Sequence, residues 1–172
     1  MNIATNLERA SFYFPENPAL SEEDKVISYK TFNEMSNRIA TGLIDMGLKP
    51  GEYVGICFPN SIQWLVFYFG ILKAGAVAVT YANALSKEEL VFLVNHSKPK
   101  FIFTTEEKSH FLNEIKESVG LQKIICDKGE LNFNDLIEKG KPSFKAIDRD
   151  RTDVAAILYT GGTTGVPKGV ML

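Results

Sequence analysis

The feature that most constrains this chain is a repeated exchange of hydrophobic period. Short apolar runs of strand length alternate with capped stretches whose apolar residues recur every three or four positions. The runs are Tyr53 to Phe58, Ala76 to Thr80, Lys100 to Thr104, Lys123 to Cys126 and Asp153 to Tyr159. Between them lie helical patterns over Ile62 to Lys73, from Ser86 to about Asn95, from Glu106 to Ser118, and around Phe133 to Glu138 before Gly140. Ser86 with Glu89 has capping-box spacing, and Asn60 or Ser61 is placed to cap the helix that opens at Ile62. Strands alternating with helices in this way imply an α/β fold: a doubly wound, mostly parallel sheet with helices on both faces. The continuous apolar run DVAAILY predicts a buried central strand.

The first fifty residues stand before this alternation. Leu7 to Phe14 reads as a short helix closed by Pro15, and Ala19-Leu20 with Val26 to Tyr29 reads as a small hairpin whose tip is the solvated run Glu22-Glu23-Asp24. Thr31 with Glu34 fits a capping box, followed by Phe32, Met35, Ile39, Leu43 and Met46 on one face until Gly47. Ile62 to Lys73 is apolar nearly all round, so it is expected to lie against the sheet on one side and other elements on the other. Lys141 to Thr152 reads as a polar connector.

Composition removes several classes of function. With 172 residues the chain can bury one sizeable core, so residues 1–172 are expected to form a single α/β subdomain. Nineteen basic side chains scattered among 21 acidic ones give no cationic stripe, which argues against nucleic-acid binding. Twelve Phe, 6 Tyr and many branched aliphatics exclude disorder. Met1 to Ala10 lacks the pattern of a secretory leader, and Trp64 to Leu72 is too short and too interrupted to span a bilayer, so no transmembrane segment and a cytoplasmic location are expected. Cys57 and Cys126 each sit in a strand-like run, as reduced core thiols would, and no metal-ligand spacing occurs. Trp64, Phe67, Tyr68 and Phe69 have the helical spacing of core residues rather than of a stacking platform. His96 and His110 read as capping or solvent-facing residues.

The segment that carries chemistry is Tyr159-Thr160-Gly161-Gly162-Thr163-Thr164-Gly165-Val166-Pro167-Lys168-Gly169-Val170. Four glycines in nine residues let successive N–H groups converge on one anion, two adjacent threonines add hydroxyl donors, and Lys168 adds a positive charge. That set suits a polyphosphate. Following a buried strand, it is expected at the carboxyl edge of the sheet, where open α/β folds bind ligands. A Walker loop is excluded, because Gly165 is followed by Val166-Pro167 and Lys168 by Gly169. The Gly-x-Gly-x-x-Gly dinucleotide fingerprint is not matched either, and the apolar Val170-Met171-Leu172 that follows predicts strand, loop, strand.

The segment YTGGTTGVPKGV resembles the phosphate-binding signature of the adenylate-forming superfamily, which comprises acyl-CoA synthetases, adenylation domains and luciferases. Upstream, the stretch from ISYKTFNEMSNRIATGLIDMGLKPGEYVGICFPNS to ILKAGAVAVT is similar to the same family's amino-terminal portion in order and spacing, so the likeness runs from about Leu7 to Leu172. The resemblance implies the amino-terminal subdomain of a two-step ligase: a carboxylate attacks ATP to give an acyl-adenylate and pyrophosphate, and the acyl group then passes to a thiol, usually that of coenzyme A. It implies that Thr160, Gly161, Gly162, Thr163, Thr164, Gly165 and Lys168 hold the β- and γ-phosphates. Many members carry Ser where this chain has Gly161, and the Gly form is more similar to the fatty-acyl-CoA ligase branch than to the amino-acid-activating one.

By the same resemblance the residues that bind adenine, Mg²⁺ and the acyl group, and the catalytic lysine, lie beyond Leu172. The chain is therefore expected to hold no catalytic residue, to be inactive in isolation, and to self-associate through apolar faces left bare. The alternatives are an amino-acid- or aryl-acid-activating adenylation domain, a non-catalytic nucleotide- or anion-binding module, and a partner-binding scaffold.

Overall fold

The computed structural model describes residues 2–160 and 167–172, with the backbone alone at Thr160. In chain order the elements are α1 (Thr5–Tyr13), β1 (Pro18–Glu22), β2 (Lys25–Ser28), α2 (Tyr29–Asp45), β3 (Tyr53–Cys57), α3 (Ile62–Lys73) and β4 (Val77–Thr80). They continue with α4 (Lys87–Ser97), β5 (Phe101–Thr104), α5 (Glu106–Ile115), β6 (Lys123–Cys126), α6 (Phe133–Lys139), β7 (Ala156–Thr160) and β8 (Lys168–Met171). β1 and β2 form a separate antiparallel hairpin, and the remaining strands form one sheet in the order β6-β5-β3-β4-β7-β8. β3 to β7 are mutually parallel and β8 runs antiparallel to β7, so the doubly wound, mostly parallel architecture is realised.

Local chemistry sets the helix starts. Ser61 Oγ accepts from the Trp64 N–H at 3.1 Å, and Ser86 and Glu89 satisfy each other's backbone donors reciprocally. α2 differs from the sequence reading: Ser28 rather than Thr31 is its cap, accepting from the Thr31 N–H at 3.3 Å, and the helix opens at Tyr29. Glu22, Glu23 and Asp24 at the hairpin tip are exposed as expected, and Glu22 Oε2 also accepts from the Ile62 N–H at 2.9 Å and so meets the positive end of α3.

Strand alternation divides the core. Val54, Ile56, Ala78, Phe101, Phe103 and Ile125 face α2, α3 and α6, whereas Val77, Val79, Ile102, Ile124 and Ile157 face α4 and α5. Helices therefore cover both faces. Phe67 of α3 stacks on Phe103 of β5 with ring centroids 4.4 Å apart, and on its other side α3 packs closely on α2. Phe67 is fully buried while Trp64, Tyr68 and Phe69 are partly buried against the same core. Cys57 and Cys126 are free thiols and both are buried.

β7 differs in two ways from the expected central strand. It starts at Ala156 instead of Asp153, because Asp153 accepts from the Asp150 N–H at 2.9 Å and pairs with Arg149 at 3.0 Å, which holds that stretch in a turn. It also lies one strand from the sheet end. Ala156 and Ile157 are buried, but Leu158 is exposed, as is its cross-strand partner Val170.

The environment of Lys73 leaves no mark in the local sequence. Its side chain has no exposed surface and its Nζ donates to Glu8 Oε1 at 3.0 Å; the same oxygen accepts from the Ala146 N–H at 2.7 Å. Asn2 donates to the carbonyls of Leu72 and Ile147, and the Ile147 N–H donates to the Lys73 carbonyl. This polar latch ties α1 and the connector before β7 to the end of α3.

Candidate functional site

The parallel register places the carboxyl ends of β3, β4 and β7 on one edge of the sheet. The helices that follow β3 and β4 lie on opposite faces of the sheet, α3 on one and α4 on the other, so the carboxyl ends of these two strands mark the switch point at which folds of this kind form a ligand crevice. Thr160 ends β7 on that edge, one strand away, and Lys168 stands opposite it as the first residue of β8. The expected strand, loop, strand arrangement is present in its two strands. Of the expected phosphate-binding residues, Thr160 and Lys168 are brought together as a cross-strand pair with Lys168 exposed, while Gly161, Gly162, Thr163, Thr164 and Gly165 lie outside the described residues.

The strand pair is built around Tyr159. Tyr159 faces Gly169 across the ladder, and a Cβ at Gly169 would lie 3.1 Å from Ile157 Cγ2 and 3.4 Å from Tyr159 Cε1, so the residue behind Lys168 has little room for a side chain. On its other side the Tyr159 ring stacks on Tyr81, with centroids 5.9 Å apart and planes 19° apart. Its hydroxyl lies 2.7 Å from His96 Nδ1. Tyr81 is itself buried, its hydroxyl 2.6 Å from Ser97 Oγ, and Ser97 Oγ donates to the Leu93 carbonyl at 2.7 Å.

Burial sets the protonation of this cluster. It pushes the Tyr81 phenol far above its ordinary range and the Tyr159 phenol upward, so both are neutral at neutral pH. Cys57, at the end of β3, is pushed by burial from its ordinary 9.0 up to about 11, with Lys108 opposing; it is a poor nucleophile. Among the described residues, no group of three or more His, Cys, Asp or Glu side chains could hold a metal ion. Among the described residues, this edge offers a lysine and two strand ends.

His96 is exposed, as the sequence reading had it, but sequence reasoning missed the aromatic cluster it joins through Tyr159. His96 stacks on Phe92 one turn earlier in α4, so their spacing was available in the sequence, but the partner is 63 positions away in β7. His110 lines a shallow surface depression beside Cys126 and Lys123, away from Tyr159. Among the described residues, no helix is long and apolar enough to cross a membrane.

The sequence pattern of the family described as "AMP-binding enzyme" matches residues 7–172. A medium/long-chain-fatty-acid–CoA/3-oxocholest-4-en-26-oate–CoA ligase of Mycobacterium marinum is 32% identical over 99% of the chain, which covers 34% of that ligase. A dimodular nonribosomal peptide synthase of Bacillus subtilis is 30% identical over 99% of the chain, which covers 7% of it. Among solved structures, an anthranilate CoA ligase in complex with anthranoyl-AMP superposes with a TM-score of 0.92 at 27% identity, over 99% of this chain and 33% of that one. The chain thus spans about a third or less of the length of these similar proteins.

Proposed function

The chain belongs to the AMP-binding enzyme family, and from that premise we propose that it supplies the phosphate-binding part of an ATP-dependent carboxylate–CoA ligase acting on fatty acids. In the reaction a carboxylate oxygen attacks the α-phosphorus of ATP, the bond to the β-phosphate breaks, and pyrophosphate leaves. The acyl group then passes from AMP to the thiol of coenzyme A.

The observation that carries this reading is the Thr160–Lys168 pair at the carboxyl edge of the sheet, joined by a Gly/Thr-rich sequence. In this reading Thr160, Gly161, Gly162, Thr163, Thr164, Gly165 and Lys168 hold the β- and γ-phosphates. Their N–H groups, hydroxyls and ammonium neutralise and orient the leaving pyrophosphate, a contribution of position and charge without covalent chemistry. Mg²⁺ would come with the nucleotide's phosphates, and no step is assigned to it on these residues. The fatty-acid branch is supported by Gly161 and by the similarity to the mycobacterial ligase; the similarity to the peptide synthase favours amino acids as the second reading.

The test is carboxylate-dependent exchange of labelled pyrophosphate into ATP by the full-length protein, with acetate, medium and long fatty acids, aryl acids and amino acids as a panel. Exchange with fatty acids followed by CoA thioester formation is expected. Exchange with amino acids alone would move the second reading to the front, and no exchange with any acid would leave an anion-binding module. In the active protein Lys168→Ala should slow exchange by about 10- to 100-fold while shifting Tm little, because an exposed lysine has little packing to lose.

A further inference from the structure

We infer that His96, in the last turn of α4, is a positioning residue for the strand pair that presents Thr160 and Lys168, acting through the hydroxyl of Tyr159. This rests on the phosphate-binding reading above for its consequence in catalysis, though not for its geometry.

The parallel ladder stops short of the Thr160–Lys168 pair. β7 pairs with β4 through Ala78 with Ala156, Val79 with Ile157, and Thr80 with Leu158. Tyr159 and Thr160 lie past the last of those pairs, and their remaining ladder partner is β8, whose residues are exposed. Past Leu158 no residue of β7 has a ladder partner in β4. The Tyr159 side chain adds a hold on the strand there. Its ring stacks on Tyr81, covers Gly169, and meets His96 edge-on at 5.9 Å, while its hydroxyl lies 2.7 Å from His96 Nδ1.

At its other end the anchor belongs to a helix with a buried face. Leu90, Leu93 and Val94 bury α4 against the sheet, and Ser97, next to His96, holds the Tyr81 hydroxyl at 2.6 Å. α4 therefore fixes Tyr81 and Tyr159 together, and Tyr159 fixes the register at which its neighbour Thr160 faces Lys168. A displacement of this pair by a fraction of an ångström would weaken charge-assisted contacts to a phosphate, which depend steeply on donor position.

The experiment combines kinetics with amide hydrogen exchange in the full-length protein. His96→Ala and Tyr159→Phe should each raise the KM for ATP in pyrophosphate exchange about three- to tenfold, with kcat within about twofold. The double variant should be no worse than either single one, because both remove the same contact. His96→Asn, which returns a polar partner, should restore KM to within about twofold, and His110→Ala should change nothing. Amides of Thr160 and of residues 168–170 should exchange faster in both single variants, with those of β3 unchanged. Additive effects of the two changes, an equal effect of His110→Ala, or faster exchange throughout the molecule would overturn the proposal. If the wild-type protein exchanges no pyrophosphate with any acid, the function reading fails and amide exchange alone decides: local acceleration supports the positioning role, and unchanged exchange refutes it.

Discussion

At the scale of the residue, Lys73 is the least expected side chain in the molecule. Its burial lowers the ammonium's pKa from its ordinary value, with the Glu8 contact opposing, and removing one member of such a pair leaves the other charge uncompensated. Glu8→Ala should therefore cost roughly 3 kcal/mol, a fall in Tm of about 6–12 °C, whereas Lys73→Met, which removes the buried charge, should cost under about 1.5 kcal/mol. Thermal melts of both variants check the order; an equal or reversed order would mean that the latch holds by packing alone. The sequence revealed Lys73 as the end of a helix but not as a buried charge, because Glu8 lies 65 positions away. Cys57 gives a second prediction at this scale. The unfolded thiol loses its proton above 9.0 while the folded one keeps it to about 11, so the unfolded state binds fewer protons in that window and stability falls as pH rises through it. The contribution approaches about 2 kcal/mol at the upper end, and Cys57→Ala should flatten this part of a denaturant-unfolding profile measured from about pH 8 to 11.

At the scale of the element, the contact between α2 and α3 depends on a missing side chain. A Cβ on Gly70 would lie 2.5 Å from Ile39 Cγ2 and 3.3 Å from the Ser36 carbonyl, inside van der Waals contact. Gly70→Ala should thus cost about 1–3 kcal/mol despite alanine's better helix propensity. Denaturant melts of this variant beside the unchanged protein measure it, and a stabilised variant would show that the helices can separate without cost. Elements of this kind were legible because their signals are local. α3 has the bounds Ile62–Lys73 expected from its apolar run, and Ser61 and Ser86 cap their helices as their spacing requires. Boundaries were lost where two signals competed: Ser28 took the cap that Thr31 also fitted, and Asp153 was spent on a turn before β7. The candidate site was legible as a strand, a Gly/Thr-rich segment and a second strand, but the contact of His96 was not, since a hydrogen bond from a helix to a strand 63 positions away leaves no periodic trace.

At the scale of the whole molecule, one edge of the sheet differs from the rest. The interior strands are covered on both faces, whereas every residue of β8 is exposed, with Val170 and Met171 at 45 and 66% and Leu172 just after it at 63%. Leu158 beside Val170 extends the apolar surface. An outer strand of this kind offers unpaired backbone groups together with apolar side chains, and Lys168 is the one charge within it. The 172-residue chain is therefore expected to self-associate in a concentration-dependent way. Phe12, Tyr13 and Phe14 at the end of α1 form a second exposed apolar group, so variants are needed to tell the two surfaces apart. Val170→Lys adds a second charge on the face that carries Lys168 and should lower the weight-average mass in light scattering toward that of a 19.2 kDa monomer, while Phe12→Ser should leave it unchanged. The reverse pattern would assign association to α1, and a clean wild-type monomer at high concentration would show that the edge strand is protected by its own twist and charge.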